Sequence, residues 1–153
     1  MKKARYDTED RRHTSIAVLG INLLAFLILV SIASATQDSD AWRSKGEDLY
    51  SLNKYDEAIN AYNKAIELNP QDSMAWTSKG MALNDLNKYD EAITAFDKAI
   101  EIDPRNSVAW YNKGNALYGL NKPEEAVKAF DKAVEINPMD SKALEAKKNY
   151  KIG

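Results

Sequence analysis

SMAWTSKGMALNDLNKYDEAITAFDKAIEIDPRN, residues Ser73–Asn106, is the stretch that decides the fold. The 34 residues before it, Ser39–Asp72, repeat it at 21 positions, and the 34 after it, Ser107–Asp140, at 20. Each copy has AW near its start, KG beginning four residues after that alanine, LNK in the middle, then EA, and a proline two residues before its end. A fixed period of this length predicts a stacked array, in which each copy buries its apolar face against the next. Such an array argues against a compact catalytic domain and for an extended binding surface.

Within a copy the apolar spacing is helical twice. Trp42, Gly46 and Leu49 form one stripe, and Ala58, Ile59, Tyr62, Ala65, Ile66 and Leu68 a second. Between them Asn53-Lys54, Asn87-Lys88 and Asn121-Lys122 supply turn chemistry, and the asparagine is expected to cap the helix that follows. Pro123 suits a first helical position, while Pro70, Pro104 and Pro138 close the second helices. Each block therefore reads as a helical hairpin. Gly46, Gly80 and Gly114 recur mid-helix, where glycine costs about 0.5–1 kcal/mol against alanine. Their shared phase predicts a close crossing of the two helices, beside Ala58/Ala92/Ala126 and Ala65/Ala99/Ala133. The large partners are Trp42/Trp76/Trp110 and Tyr62/Phe96/Phe130.

The pattern W-x3-G-x2-L, then Y-x2-A-x3-F/Y-x2-A-x4-P, on a 34-residue period resembles the tetratricopeptide repeat (TPR), with Pro123 in place of the tyrosine in the third copy. The resemblance implies an all-α, right-handed superhelical solenoid of antiparallel helix pairs. Its first helices would line a concave groove that binds a peptide or protein segment. Repeats at 39–72, 73–106 and 107–140 would be followed by a capping helix within 141–153, its apolar face made by Ala143, Leu144 and Ala146.

In that geometry the first-helix side chains beside the packing stripe face the groove. They are Asp40, Arg43, Glu47, Tyr50 and Ser51 in the first copy. The second contributes Met74, Thr77, Met81, Asn84 and Asp85, and the third Val108, Tyr111, Asn115, Tyr118 and Gly119. Scaffold positions are shared among the copies, whereas these differ. Tyrosine offers apolar area with a polar tip, methionine adapts to irregular shapes, and asparagine can bond a peptide backbone. Arg43, Glu47, Tyr50, Met74, Thr77, Met81, Asn84, Tyr111, Asn115 and Tyr118 are the expected binding set; Asp40, Ser51 and Asp85 read as solvated positions. Co-chaperone members of the family grip a C-terminal carboxylate with Lys, Asn and Arg side chains. The matching positions here are Arg43, Glu47, Ser78, Tyr111 and Asn115; only Arg43 is of the right kind, so that clamp is absent.

Ahead of the repeats, Ile16–Ala33 is uncharged over 18 residues, IAVLGINLLAFLILVSIA. As a helix it would span roughly 27 Å, close to the ~30 Å hydrocarbon core of a bilayer. Two readings stand. One is a single transmembrane signal anchor within 16–35, joined to the repeats by a linker at 36–38. The other is a secretory signal cleaved after Ala33-Ser34-Ala35, leaving Thr36 as the mature start and a secreted protein. The length of the run, and the acidic residues in the flank before it, favour the anchor. Arg11 and Arg12 precede the run and the first basic residue after it is Arg43, so the flank at 1–15 is expected to stay cytoplasmic and the repeats to lie beyond the membrane.

Charge and residue types exclude other functions. Residues 1–13 hold five basic and three acidic groups, leaving 16 basic and 20 acidic groups in the rest. A net of −4 over that part is no footprint for nucleic acid. The chain has no cysteine, and its one histidine, His13, precedes the apolar run, so the repeats lack the usual general bases, thiol nucleophiles and zinc ligands. Asp56-Glu57, Asp90-Glu91 and Glu124-Glu125 open second helices, where carboxylates favour the helix dipole. The recurring KG is no phosphate loop, since its glycine stands alone in a helix. The expectation is a non-enzymatic, membrane-tethered scaffold with a protein or peptide partner and no cofactor, metal or small-molecule ligand. A self-associating envelope component, or an accessory subunit of a membrane complex, is the alternative.

Overall fold

The computed structural model describes residues 23–31 and 38–150. The chain divides into two units, Met1–Gln37 and Asp38–Gly153. In the first, residues 23–31, LLAFLILVS, are helical with exposed side chains. No helix among the described residues is long and apolar enough to cross a membrane. The rest of the expected span at 16–35, the flank at 1–15 with His13, and Thr36-Gln37 of the linker lie outside the described residues.

The second unit is an all-helical solenoid. Its helices are α1 over 38–51, α2 Tyr55–Leu68, α3 Ser73–Asp85, α4 Tyr89–Ile102, α5 Ser107–Gly119, α6 Pro123–Ile136 and α7 Ser141–Tyr150. α3 packs on α4 and α5 on α6 within hairpins, while α2 packs on α3, α4 on α5 and α6 on α7 between them.

The turn inside each hairpin corrects one sequence expectation. Asn53, Asn87 and Asn121 do not cap the helices that follow; they terminate the helices before them, each at a left-handed φ of 59–60°. At the second turn the Asn87 N–H donates to the Asn84 carbonyl (2.8 Å) and the Lys88 N–H to the Leu83 carbonyl (2.9 Å). The first and third turns repeat both bonds. This satisfies the last carbonyls of the first helix with a single left-handed residue, a conformation asparagine tolerates better than other non-glycine residues. α2, α4 and α6 start without a side-chain cap bond. The caps lie between hairpins instead: Asp72 accepts from the Met74 and Ala75 N–H groups, Asn106 from Ala109, and Asp140 from Lys142 and Ala143.

The recurring glycines have a direct steric cause. A Cβ on Gly46, Gly80 or Gly114 would stand 2.4–2.5 Å from the Cε1 of Tyr62, Phe96 or Phe130 respectively. These rings are 0–1% exposed and cannot swing away. The alanines expected at the crossing are buried beside them, Ala58, Ala92, Ala126, Ala65, Ala99 and Ala133. The tryptophans differ from expectation. They are only half-buried, each with the lysine three residues on over its ring, as with Lys79 over Trp76 at 5.3 Å. In the last helix Ala143 and Ala146 are buried, but Leu144 is 44% exposed and does not belong to the covering face.

Candidate binding groove

Several of the expected groove positions meet neighbouring structure. Arg43 lies at the start of the row, its side chain 19% exposed, with Nη2 on Asp40 (2.9 Å), Nη1 on Glu47 (3.0 Å) and Nε on Asp72 (3.1 Å). Burial disfavours its charge, but the three carboxylates outweigh burial and hold its pKa above the ordinary value. The equivalent of Arg43 in the second repeat is Thr77, 6% exposed. Its hydroxyl donates to the Ser73 carbonyl (2.8 Å) and accepts from Asn106 Nδ2 (2.9 Å), which also reaches the Ser73 hydroxyl (2.9 Å). Arg43 and Thr77 are thus tied to Asp72 and Asn106, the caps of the next hairpins. Thr77 offers a ligand no open surface. In the third repeat Tyr111 is half-buried and lies against Phe130, ring centroids 5.8 Å apart. Gly119 has a structural reason too: a Cβ there would come within 2.6 Å of the Tyr89 ring.

The remaining positions present side chains along the first helices. Met74 is 60% and Tyr118 46% exposed, while Met81, Asn84 and Asn115 are half-buried. The Tyr50 hydroxyl donates to the Asp85 carboxylate, linking α1 to α3, and burial followed by Asp85 raises the Tyr50 pKa. Asn84 keeps its Oδ1 buried with no hydrogen-bond partner among the described residues. Two hollows lie along this row. One of about 130 Å³ is lined by Glu47, Tyr50, Tyr62, Ser78 and Met81. The other, of about 180 Å³, is lined by Tyr111, Asn115, Lys142, Glu145, Ala146 and Asn149. The contributions of Ser78 and α7 were not among the residues expected to bind. Ser78 stands one position beyond Thr77, toward the preceding hairpin, and periodicity within one repeat does not show that neighbour.

No His/Cys/Asp/Glu group among the described residues could hold a metal ion. A larger cleft, of about 600 Å³, lies between α5 and α6 around Trp110 and Leu117, with Lys113, Lys128, Lys132, Glu125 and Asp131 at its rim. It involves none of the expected groove residues.

Paired antiparallel helices on a 34-residue period, each closed by a glycine beneath an aromatic ring, define a helical-repeat solenoid. The tetratricopeptide repeat profile matches residues 43–107, and a second profile of the same description matches 107–140. The chain belongs to the tetratricopeptide repeat family.

Solved structures agree. The TPR domain of Arabidopsis OM64 is 26% identical, with a TM-score of 0.74 over 76% of this chain and 97% of that one. The first TPR of Spaghetti (RPAP3), bound to the HSP90 peptide SRMEEVD, is 26% identical, with a TM-score of 0.73 over 75% of this chain and 91% of that one. YrrB, described as a TPR protein with an unusual peptide-binding site, is 33% identical, with a TM-score of 0.69 over 72% of this chain and 57% of its own length. No curated protein sequence matches.

Proposed function

We propose that this chain is a non-catalytic scaffold that holds a segment of another protein along its first helices and is tethered to a membrane by residues 16–33. One observation carries the binding reading: the glycine and alanine positions inside the hairpins recur three times, whereas the groove positions read Asp40/Met74/Val108, Glu47/Met81/Asn115 and Tyr50/Asn84/Tyr118 along the copies. Repeated residues serve the fold, and varied half-exposed ones are where a ligand is recognised. Solved relatives support it, since the RPAP3 repeat holds a peptide and YrrB is described by its peptide-binding site. The tether rests on the uncharged run Ile16–Ala33 and on Arg11-Arg12 before it, which favour a cytoplasmic N-terminus and repeats beyond the membrane.

Affinity capture from native membranes with the full chain in a neutral detergent tests the binding. A partner retained by the parent and lost with Tyr118→Ala supports the groove; a partner indifferent to that change places recognition elsewhere. Protease added to intact cells should remove the repeats, and protection until lysis would reverse the orientation. N-terminal sequencing that begins at Thr36 would replace the anchor with a cleaved signal. Light scattering separates the self-associating alternative, which requires oligomers without any partner.

A further inference from the structure

The hollow formed by α1, α2 and α3 has a chemistry that the other two repeats do not share. It is lined by Tyr50, Tyr62 and Met81, with Ser78 as a hydroxyl and Glu47 as its carboxylate. The residues corresponding to Glu47, Tyr50 and Tyr62 are Met81, Asn84 and Phe96 in the second repeat and Asn115, Tyr118 and Phe130 in the third. Only the first repeat sets a carboxylate beside two phenol rings. Arg43 bonds Glu47 through Oε1, so Oε2 remains for an incoming donor. That one guanidinium is shared by Asp40, Glu47 and Asp72, and Asp85 lies beside them through Tyr50. One positive and four negative groups leave a local charge of −3 at this end of the row.

We infer that this hollow takes a lysine or arginine side chain, so that the groove selects peptide segments with a basic residue lying against the first repeat. This deepens the groove reading above and rests on it. Lysine and arginine bury their methylene stems along apolar surface and keep the charged head at a polar rim, which matches a tyrosine–methionine wall with a carboxylate. Tyrosine faces attract a cation as well. A volume of about 130 Å³ suits one long side chain rather than a folded element. An acidic segment would meet the same −3 as repulsion. Further along the row Met74, Asn84, Asn115 and Tyr118 carry no charge, and the hollow at α7 sets Lys142 beside Glu145, so no second net charge is asked of the segment there.

The test pans the full chain, in a neutral detergent, against random dodecapeptides displayed on phage. Retained peptides should be enriched in Lys or Arg, and replacing that residue by norleucine or citrulline in a synthetic copy should weaken binding about tenfold. Glu47→Gln keeps the side-chain size and leaves Arg43 its bonds to Asp40 and Asp72. It should produce a similar loss with an unchanged circular dichroism spectrum, and the gap should narrow as salt is raised. An acidic or uncharged consensus, or parent-like binding by Glu47→Gln, overturns the basic-segment inference. The groove reading survives that result if Tyr118→Ala still weakens binding. It falls too if no displayed peptide is retained, or if none responds to Tyr118→Ala.

Discussion

Inside a hairpin the same contact is made three times: Gly46 beneath Tyr62, Gly80 beneath Phe96, Gly114 beneath Phe130. Between hairpins the equivalent positions meet with different chemistry. Arg43 reaches Asp72 as an ion pair and Thr77 reaches Asn106 as a neutral hydrogen bond, while the third equivalent, Tyr111, packs instead on Phe130 of its own hairpin. Lys113 pairs with Asp97 and Lys147 with Asp131, but Lys79, whose equivalent acid position holds Asn63, is half-buried, and its pKa is lowered chiefly by burial. Where an added Cβ would stand 2.4–2.5 Å from a buried ring there is no room for a side chain, whereas a polar link can be rebuilt from several donor–acceptor pairs. The interiors are therefore fixed and the junctions free to diverge.

The largest effect should come from the interior. Gly80→Leu drives a branched side chain into the Phe96 ring and should lower stability by about 3 kcal/mol in a urea melt. An unchanged midpoint would break the contrast outright. At a junction, Asp72→Ala removes the α3 cap and one of the three carboxylates on Arg43, for about 2 kcal/mol. Asp72→Asn, which copies the chemistry of Asn106, should recover most of that loss. If it does not, the junctions are less exchangeable than their diversity suggests.

Next comes a split within the groove. Tyr111→Ala should cost about 1–2 kcal/mol because its ring packs on Phe130, while Tyr118→Ala, at 46% exposure, should cost roughly 0.5 kcal/mol. Melts of the two single variants check this, and equal losses would sink the distinction.

The smallest effect sits in the one hairpin that uses tyrosine at its centre. Burial, then Glu47, push the Tyr62 pKa up from 10.0 to about 12. The folded state thus favours the neutral phenol. That contribution is whole below pH 10 and is lost as pH rises toward 12, because the unfolded chain ionises first. Tyr62→Phe, which installs the residue of the other two copies, should flatten the melting temperature between those limits. A parallel decline in parent and variant would remove Tyr62 as its cause.

Much of the fold was legible because the glycine, alanine and proline positions repeat, and repetition reports constraint. The turns are ambiguous in sequence because asparagine is both a helix-capping and a left-handed residue, and only the backbone separates these roles; here φ near 60° decides. Leu144 falls at the place of Trp110 in the 34-residue period, a place that is itself only half-buried in the repeats, so its apolar character does not fix it to the covering face. In the groove, helical spacing placed Met74 and Tyr118 at exposed positions. Spacing could not foretell that Thr77 is closed over by Asn106, 29 residues away, or that Ser78 borders a hollow beside Tyr62.

Two of the inter-hairpin links are each encoded within a single repeat, whereas Tyr50–Asp85 and Lys113–Asp97 cross a repeat boundary. Arg43 and Asp72 both belong to the first, and Ser73, Thr77 and Asn106 all belong to the second. A second copy of Ser73–Asn106 inserted after Asn106 would arrive with its own fastening complete, and the hairpin downstream would still be met by an Asn106 side chain. Gene duplication can thus lengthen such an array by whole units without simultaneous change elsewhere, and each added unit brings a fresh stretch of recognition surface for selection to alter.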